Sequence, residues 1–161
     1  AAATLRAAPV LPVLDGVGNP HNLGAIARSA AYFGCIGMVL SGDPRQAGLS
    51  DAAFRVSEGG LESLSLFSAP RLPDALRGMA QLAGGPILCA AAVARGGVPP
   101  ESLPRDRPIA LVLGNEEQGL APGTVEACEV RVTLRGTGRV ESLNVSVAAG
   151  VLFHELTRRA G

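Results

Sequence analysis

The chain has 161 residues, 47% hydrophobic but only 3% aromatic, with 21 glycines and 12 prolines. Its 14 basic and 14 acidic side chains cancel, which excludes a broadly basic nucleic-acid binder. All 14 cations are arginines, so Schiff-base chemistry, a pyridoxal phosphate anchor and the phosphate-binding lysine of a P-loop are excluded as well.

The length suits one domain, on a prior of about one per 150 residues, with a core large enough to fold without staples. Many small residues and few aromatics favour an α/β protein over an aromatic-rich β-sandwich. Cys35, Cys89 and Cys128 lie far apart without ligand spacing and read as small buried hydrophobes of a reducing compartment. No apolar run reaches the roughly 18–20 residues of a membrane span. The N-terminus has no basic region followed by an apolar stretch, so a cytoplasmic location is expected. The opening Ala1-Ala2-Ala3, without a Met, fits a piece of a longer protein. Residues 1–9 read as a linker or N-terminal extension, and 10–161 as the domain.

The apolar run 10–14, interrupted by Pro12 and closed by Asp15-Gly16, predicts a strand with an irregular start. Asn19-Pro20 reads as a helix N-cap followed by proline at the first helical position. Leu23, Ile26, Ala27, Ala30 and Ala31 recur at helical spacing as far as a Gly34 cap. A strand over 37–40, a short helix over 49–56, a strand over 64–67 and a helix over 73–82 follow. Runs 86–92 and 109–113 are continuously apolar, as parallel strands covered on both faces are, with a Gly- and Pro-rich loop over 95–108 between them. A short helix over 122–128 and an alternating strand over 130–134 lead to a last helix over 144–159. That helix carries Val145, Ala148, Ala149, Leu152 and Leu156 on one face, and Arg158 and Arg159 suit its negative end. The rhythm defines an α/β fold with a mainly parallel sheet flanked by helices.

Ligands of open α/β sheets bind beyond the carboxyl ends of the strands, which directs attention to three polar loops. Gly16-Val17-Gly18 begins like a dinucleotide fingerprint, but His21 occupies the third glycine position and Pro20 removes a donor. Gly114 and Gly119 have P-loop spacing, but Leu120-Ala121 follows them and Glu116-Glu117 would repel a polyphosphate. Gly136 to Asn144 runs into the last helix, where Ser142 or Asn144 can cap it. Taken singly, Arg28 reads as a surface ion pair, Glu116 as a cap or a partner of Arg28, and Ser142 and Asn144 as caps. His21 and His154 carry no evident role, and no metal site is expected.

Three segments together resemble the SpoU/TrmH group of RNA 2'-O-ribose methyltransferases in the SPOUT superfamily. Asn22-Leu-Gly-Ala-Ile-Ala-Arg28-Ser resembles motif 1, Leu113-Gly-Asn-Glu-Glu-Gln-Gly-Leu120 motif 2, and Val140-Glu-Ser-Leu-Asn-Val-Ser-Val-Ala-Ala-Gly150 motif 3. Order and spacing agree from about Val10 to Arg159, and Ser57-Glu58-Gly59-Gly60 resembles the family's middle region. The resemblance implies a deep C-terminal trefoil knot whose loops hold S-adenosylmethionine, an arrangement periodicity alone does not predict. It assigns cofactor contacts to Gly114, Asn115, Gly119, Leu134, Leu143 and Asn144, with Leu88, Cys89 and Ala90 lining the adenosine side. It also makes Arg28 the central catalytic residue, with Asn22, Glu116, Ser142 and Asn144 orienting it and the substrate. An arginine stays protonated, so Arg28 is expected to grip phosphate and stabilise alkoxide charge, the proton acceptor being left open.

The implied substrate is tRNA or rRNA, and the implied assembly is a homodimer with Arg28 close to the partner subunit. Many relatives carry a separate N-terminal RNA-binding domain. Leu134-Arg135-Gly136 departs from the apolar-Pro-Met turn of many relatives, and RNA contacts fall to arginines such as Arg28, Arg135 and Arg139. The alternative is a non-catalytic RNA-binding or assembly module that retains the fold, which S-adenosylmethionine binding would distinguish.

Overall fold

A computed structural model describes residues 9–158; the expected extension up to residue 8, and Arg159 at the other end, lie outside the described residues. In chain order the elements are β1 (Val10–Asp15), α1 (Pro20–Tyr32), β2 (Gly37–Ser41), α2 (Asp51–Ser57), α3 (Gly60–Ser63) and β3 (Ser65–Ala69). The second half runs α4 (Leu72–Ala80), β4 (Leu88–Ala92), β5 (Ile109–Gly114), α5 (Pro122–Glu126), β6 (Val130–Val132) and α6 (Val145–Thr157). A 3-10 turn at Pro100–Ser102 interrupts the loop expected over 95–108, and α3 has no counterpart in the sequence reading.

The six strands form one sheet in the order β3-β2-β1-β5-β4-β6, and every neighbouring pair is parallel. Alternation assigns the faces. On β5, Ile109, Leu111 and Leu113 join the core beneath α1 and α6, while Ala110 and Val112 join Leu72 and Leu76 of α4 on the other side. Both faces are covered, so the central strands carry no polar side that periodicity could reveal. Pro12 is tolerated because β1 pairs with β2 only from Val13 onward, beyond the missing N–H.

The helix ends follow local chemistry. Asn19 caps α1 by accepting the His21 N–H at 2.8 Å, and Pro20 follows at the first helical position. Gly34, just past α1, takes φ +86°, the left-handed region that suits glycine. Asn144 caps α6, and Arg158 ends it with extended backbone. Cys35 and Cys89 are buried, which pushes their thiols up to about 12 and about 11, so they serve the core as small apolar groups.

The chain grows from β1 through β2 to β3 in one direction, then crosses to β4, β5 and β6 on the other side of β1. The order therefore reverses between β1 and β5, whose last residues, Asp15 and Gly114, stand opposite each other. A ligand crevice is expected beyond this point.

Candidate active site

The loops that leave β1 and β5 at the reversal are tied together by one carboxylate. Glu116 Oε1 accepts the Gly18 N–H at 3.0 Å, and Oε2 accepts the Asn19 N–H at 2.8 Å and Asn22 Nδ2 at 3.0 Å. These are donors at the start of α1, where the helix dipole also favours negative charge. Partial burial alone would raise the Glu116 pKa, but the bonds from Asn22, Gly18 and Asn19 outweigh it and hold the carboxyl below its usual range.

Asn115 fixes the β5 loop from within. Its Oδ1 accepts the N–H groups of Glu117 and Gln118 at 3.0 Å, and its Nδ2 donates to the Gly16 carbonyl at 2.8 Å. Asn115 and Gly119 also exchange two main-chain bonds, folding the loop back on itself. Gly114 is required there, because a Cβ on it would meet Gly119 C and Leu120 N at 2.7 Å. Gln46, from the loop after β2, accepts the Gly16 and Val17 N–H groups on its Oε1 at 3.0 and 2.9 Å. Thr124 at the start of α5 donates to buried Asp15 at 2.8 Å, closing the floor under the crevice.

Two connected depressions result. One, of about 230 Å³, lies between the ends of β4, β5 and β6 and the start of α6. Its apolar wall includes Leu113, Leu134, Leu143 and Leu152, and its rim carries Glu116, Glu117 and Glu141. No Arg or His among the described residues lines it. The second is an open cleft bounded by the start of α1 and the β5 loop, and it includes Asn22, Arg45, Glu116 and Asn144.

The expected site residues divide among these places. Gly114, Gly119, Leu134, Ser142 and Leu143 line the first depression, and Asn22 and Asn144 line the second, with Asn115 and Glu116 in both. Asn144 is also the α6 cap, its Oδ1 accepting Ser146 N–H at 2.8 Å and Ser146 Oγ–H at 2.6 Å. Leu88, Cys89 and Ala90 stand apart: all three are buried within β4 and do not line the cavity. Its β4 side is formed instead by Ala92, Val93 and Ala94, because only the carboxyl end of a strand opens to the crevice.

Arg28 is not brought to Glu116, Ser142 or Asn144. It lies on the exposed side of α1, outside both depressions, and its guanidinium pairs with Glu58 at 3.1 Å. Glu58 ends α2 in the left-handed region at φ 45°. Two glycines make this approach possible. A Cβ on Gly24 would meet the Ala53 carbonyl at 2.5 Å, and one on Gly60 would meet Ala27 and Arg28 backbone at 2.8 Å. The Glu58-Gly59-Gly60 segment was the available signal; Gln46 and Thr124 had none, since their partners, Gly16, Val17 and Asp15, are distant in sequence.

A parallel α/β sheet with a crevice at its reversal point, apolar within and acidic at the rim, defines a domain for a nucleoside-like ligand without a polyphosphate. Comparison with known proteins narrows the class. Residues 9–154 match the model of the SpoU rRNA Methylase family, and the chain belongs to that family. It is 39% identical over 150 residues to the 23S rRNA (guanosine-2'-O-)-methyltransferase RlmB of Nitrosomonas europaea, covering 93% of this chain and 56% of that protein. The Haemophilus influenzae RlmB is 36% identical over 151 residues, covering 94% of this chain and 60% of its own length. The chain thus spans under two thirds of the length of these relatives. Among solved structures, the SpoU methyltransferase AviRb from Streptomyces viridochromogenes in complex with AdoMet superposes with a TM-score of 0.85 at 28% identity, covering 95% of this chain and 58% of that one.

Proposed function

We propose that this chain is the S-adenosylmethionine-dependent catalytic unit of an RNA 2'-O-ribose methyltransferase acting on tRNA or rRNA. One observation carries the reading: the motif 2 and motif 3 loops enclose an apolar cavity lined by Glu116, Glu117 and Glu141 and, among the described residues, by no Arg or His, Glu141 being paired with Arg95 outside the lining at 3.6 Å. A cationic nucleoside suits that rim, whereas a nicotinamide or adenine polyphosphate is repelled by it. S-adenosylmethionine, when bound, supplies an electrophilic methyl group on a positively charged sulfur. Relatives named as guanosine-2'-O-methyltransferases and an AdoMet-bound SpoU neighbour support the same assignment.

In this reading Leu134 and Leu143 hold the nucleoside by apolar contact, and the β5 loop offers main-chain groups on the far side. The adjoining cleft receives the target nucleotide, and Asn22 and Asn144 orient its ribose. Catalysis is then mainly alignment of the 2'-oxygen with the methyl carbon. Arg28, outside this chain's own depressions, acts across the proposed dimer at the partner subunit's cleft, where it grips phosphate and steadies negative charge on the attacking oxygen, with Glu58 fixing its direction.

Three finer features belong to the proposal. The segment 133–144, which connects β6 to α6 and walls the cavity, is the part that closes the trefoil knot. The chain acts as a homodimer, which brings Arg28 near the partner subunit; exposed Val147 and Val151 on α6 and Tyr32 on α1 support such a face. Residues 10–161 form the catalytic domain of a cytoplasmic enzyme, to which an N-terminal RNA-binding domain adds affinity.

The test is methyl transfer from labelled S-adenosylmethionine to bulk tRNA and rRNA, followed by mapping of the modified ribose. Arg28→Ala is expected to keep cofactor affinity by calorimetry and lose transfer by at least about 100-fold. Unchanged turnover in that variant would overturn the role of Arg28. Absence of S-adenosylmethionine binding by calorimetry would favour the non-catalytic module.

A further inference from the structure

We infer that Arg45 forms a phosphate-binding subsite in the cleft beside the cofactor cavity, gripping the RNA backbone next to the target ribose. The inference rests on the RNA reading above and assigns a contact outside the three motifs. Arg45 is the only cation among the described residues that line the cleft. The other charged groups there, Glu116 and Glu117, repel a phosphate, as does Asp43, which is paired with Arg45 at 2.8 Å behind the cleft lining.

The start of α1 opens into the same cleft but is already engaged. Glu116 takes the Gly18 and Asn19 N–H groups, and Asn19 takes that of His21. An anion arriving there finds the helix end closed by a carboxylate and must be held by a side chain. Arg45 is built for that task. Asp43 receives its Nε at 3.0 Å and NH2 at 2.8 Å, fixing the guanidinium by one edge, and Asp43 also caps the Arg45 N–H at 2.8 Å. Gln118 receives NH1 at 2.6 Å from across the cleft. A guanidinium has five N–H groups, so two remain, one on each terminal nitrogen. The group rests against Gly16, where a Cβ would come within 3.1 Å of NH2. Fixed orientation with N–H groups to spare suits bidentate phosphate recognition, and it lowers the entropy lost on binding.

A brace between loops would use the same contacts, so the experiment must read charge rather than stability. Binding of a fluorescein-labelled single-stranded RNA of mixed sequence is measured by anisotropy from about 50 to 200 mM potassium chloride. Arg45→Gln is expected to weaken binding roughly tenfold, irrespective of sequence, and to reduce the slope of log affinity against log salt by about 0.7. Arg45→Lys is expected to restore the slope. Gln118→Ala, which removes the brace but keeps the charge, is expected to leave it unchanged. Circular dichroism and S-adenosylmethionine calorimetry establish that each variant is folded. An unchanged slope in Arg45→Gln, or an equal loss in Gln118→Ala, overturns the assignment while leaving the RNA reading intact. A wild-type chain that binds no RNA across this range overturns the reading and the subsite together.

Discussion

At Glu116 a single side chain joins three donors from the start of α1 to the loop after β5. The ionised form makes these bonds, so the carboxyl is held below its usual value of about 4.3. A depressed folded-state pKa contributes stability above the unfolded value and loses it as pH falls through the folded value. Glu116→Gln is therefore expected to cost about 1 kcal/mol at neutral pH, after allowance for solvent exposure. The gap between wild type and variant should close below about pH 4, as urea denaturation at a series of pH values would show. Motif spacing marked Glu116 as functional but could not give its partners, since 94 residues separate it from Asn22. The same limit hid the partner of Arg28. Its partner, Glu58, reaches it only because α2 and α3 fold back over α1.

At the scale of elements, the α1–α2 contact decides where Arg28 points. Gly24 lets the end of α2 sit directly on α1, with Ala53 and Val56 closer than any Cβ would allow. Gly24→Ala is expected to force these helices apart at a cost of about 1–3 kcal/mol, read from the shift in denaturation midpoint. Methyl transfer should fall along with stability, because Glu58 moves away from Arg28. Caps and strand cores were legible locally: Asn19-Pro20 and Asn144 define helix starts through their own neighbours. The four-residue α3 was not, because a helix that short has no period of its own and is held by packing. The Leu88 to Ala90 stretch was misplaced for a related reason. An apolar run marks a strand but does not say which residue stands at its open end.

Across the whole molecule, α1 and α6 lie side by side, with Gly150 opposite Ser29 and the rings of Phe33 and His154 5.7 Å apart. These two levels are four residues apart on each helix, so the helices run in the same direction. Val147 and Val151, about half exposed at 51% and 45%, stand one turn apart on α6. In the proposed homodimer this face is covered by a second copy. Val147→Arg combined with Val151→Arg is expected to leave the fold unchanged by circular dichroism and to halve the sedimenting mass in analytical ultracentrifugation. Retention of the dimer would place the subunit contact elsewhere.

The sequence by itself determined the α/β class, the positions of most strands and helices, the absence of lysine and the three family motifs. These depend on local periodicity, capping chemistry and residue identity, all readable along one stretch of chain. Only the tertiary structure decided which motifs meet. The all-parallel order β3-β2-β1-β5-β4-β6 puts the β1 and β5 loops side by side, although nearly 100 residues lie between Asp15 and Gly114. It also sets Arg45 in a neutral chain's one cationic position on the cleft wall, among the described residues. Net charge is a sum over the whole chain, whereas recognition depends on where the fold places each charge, and that placement is a long-range property of the sheet order.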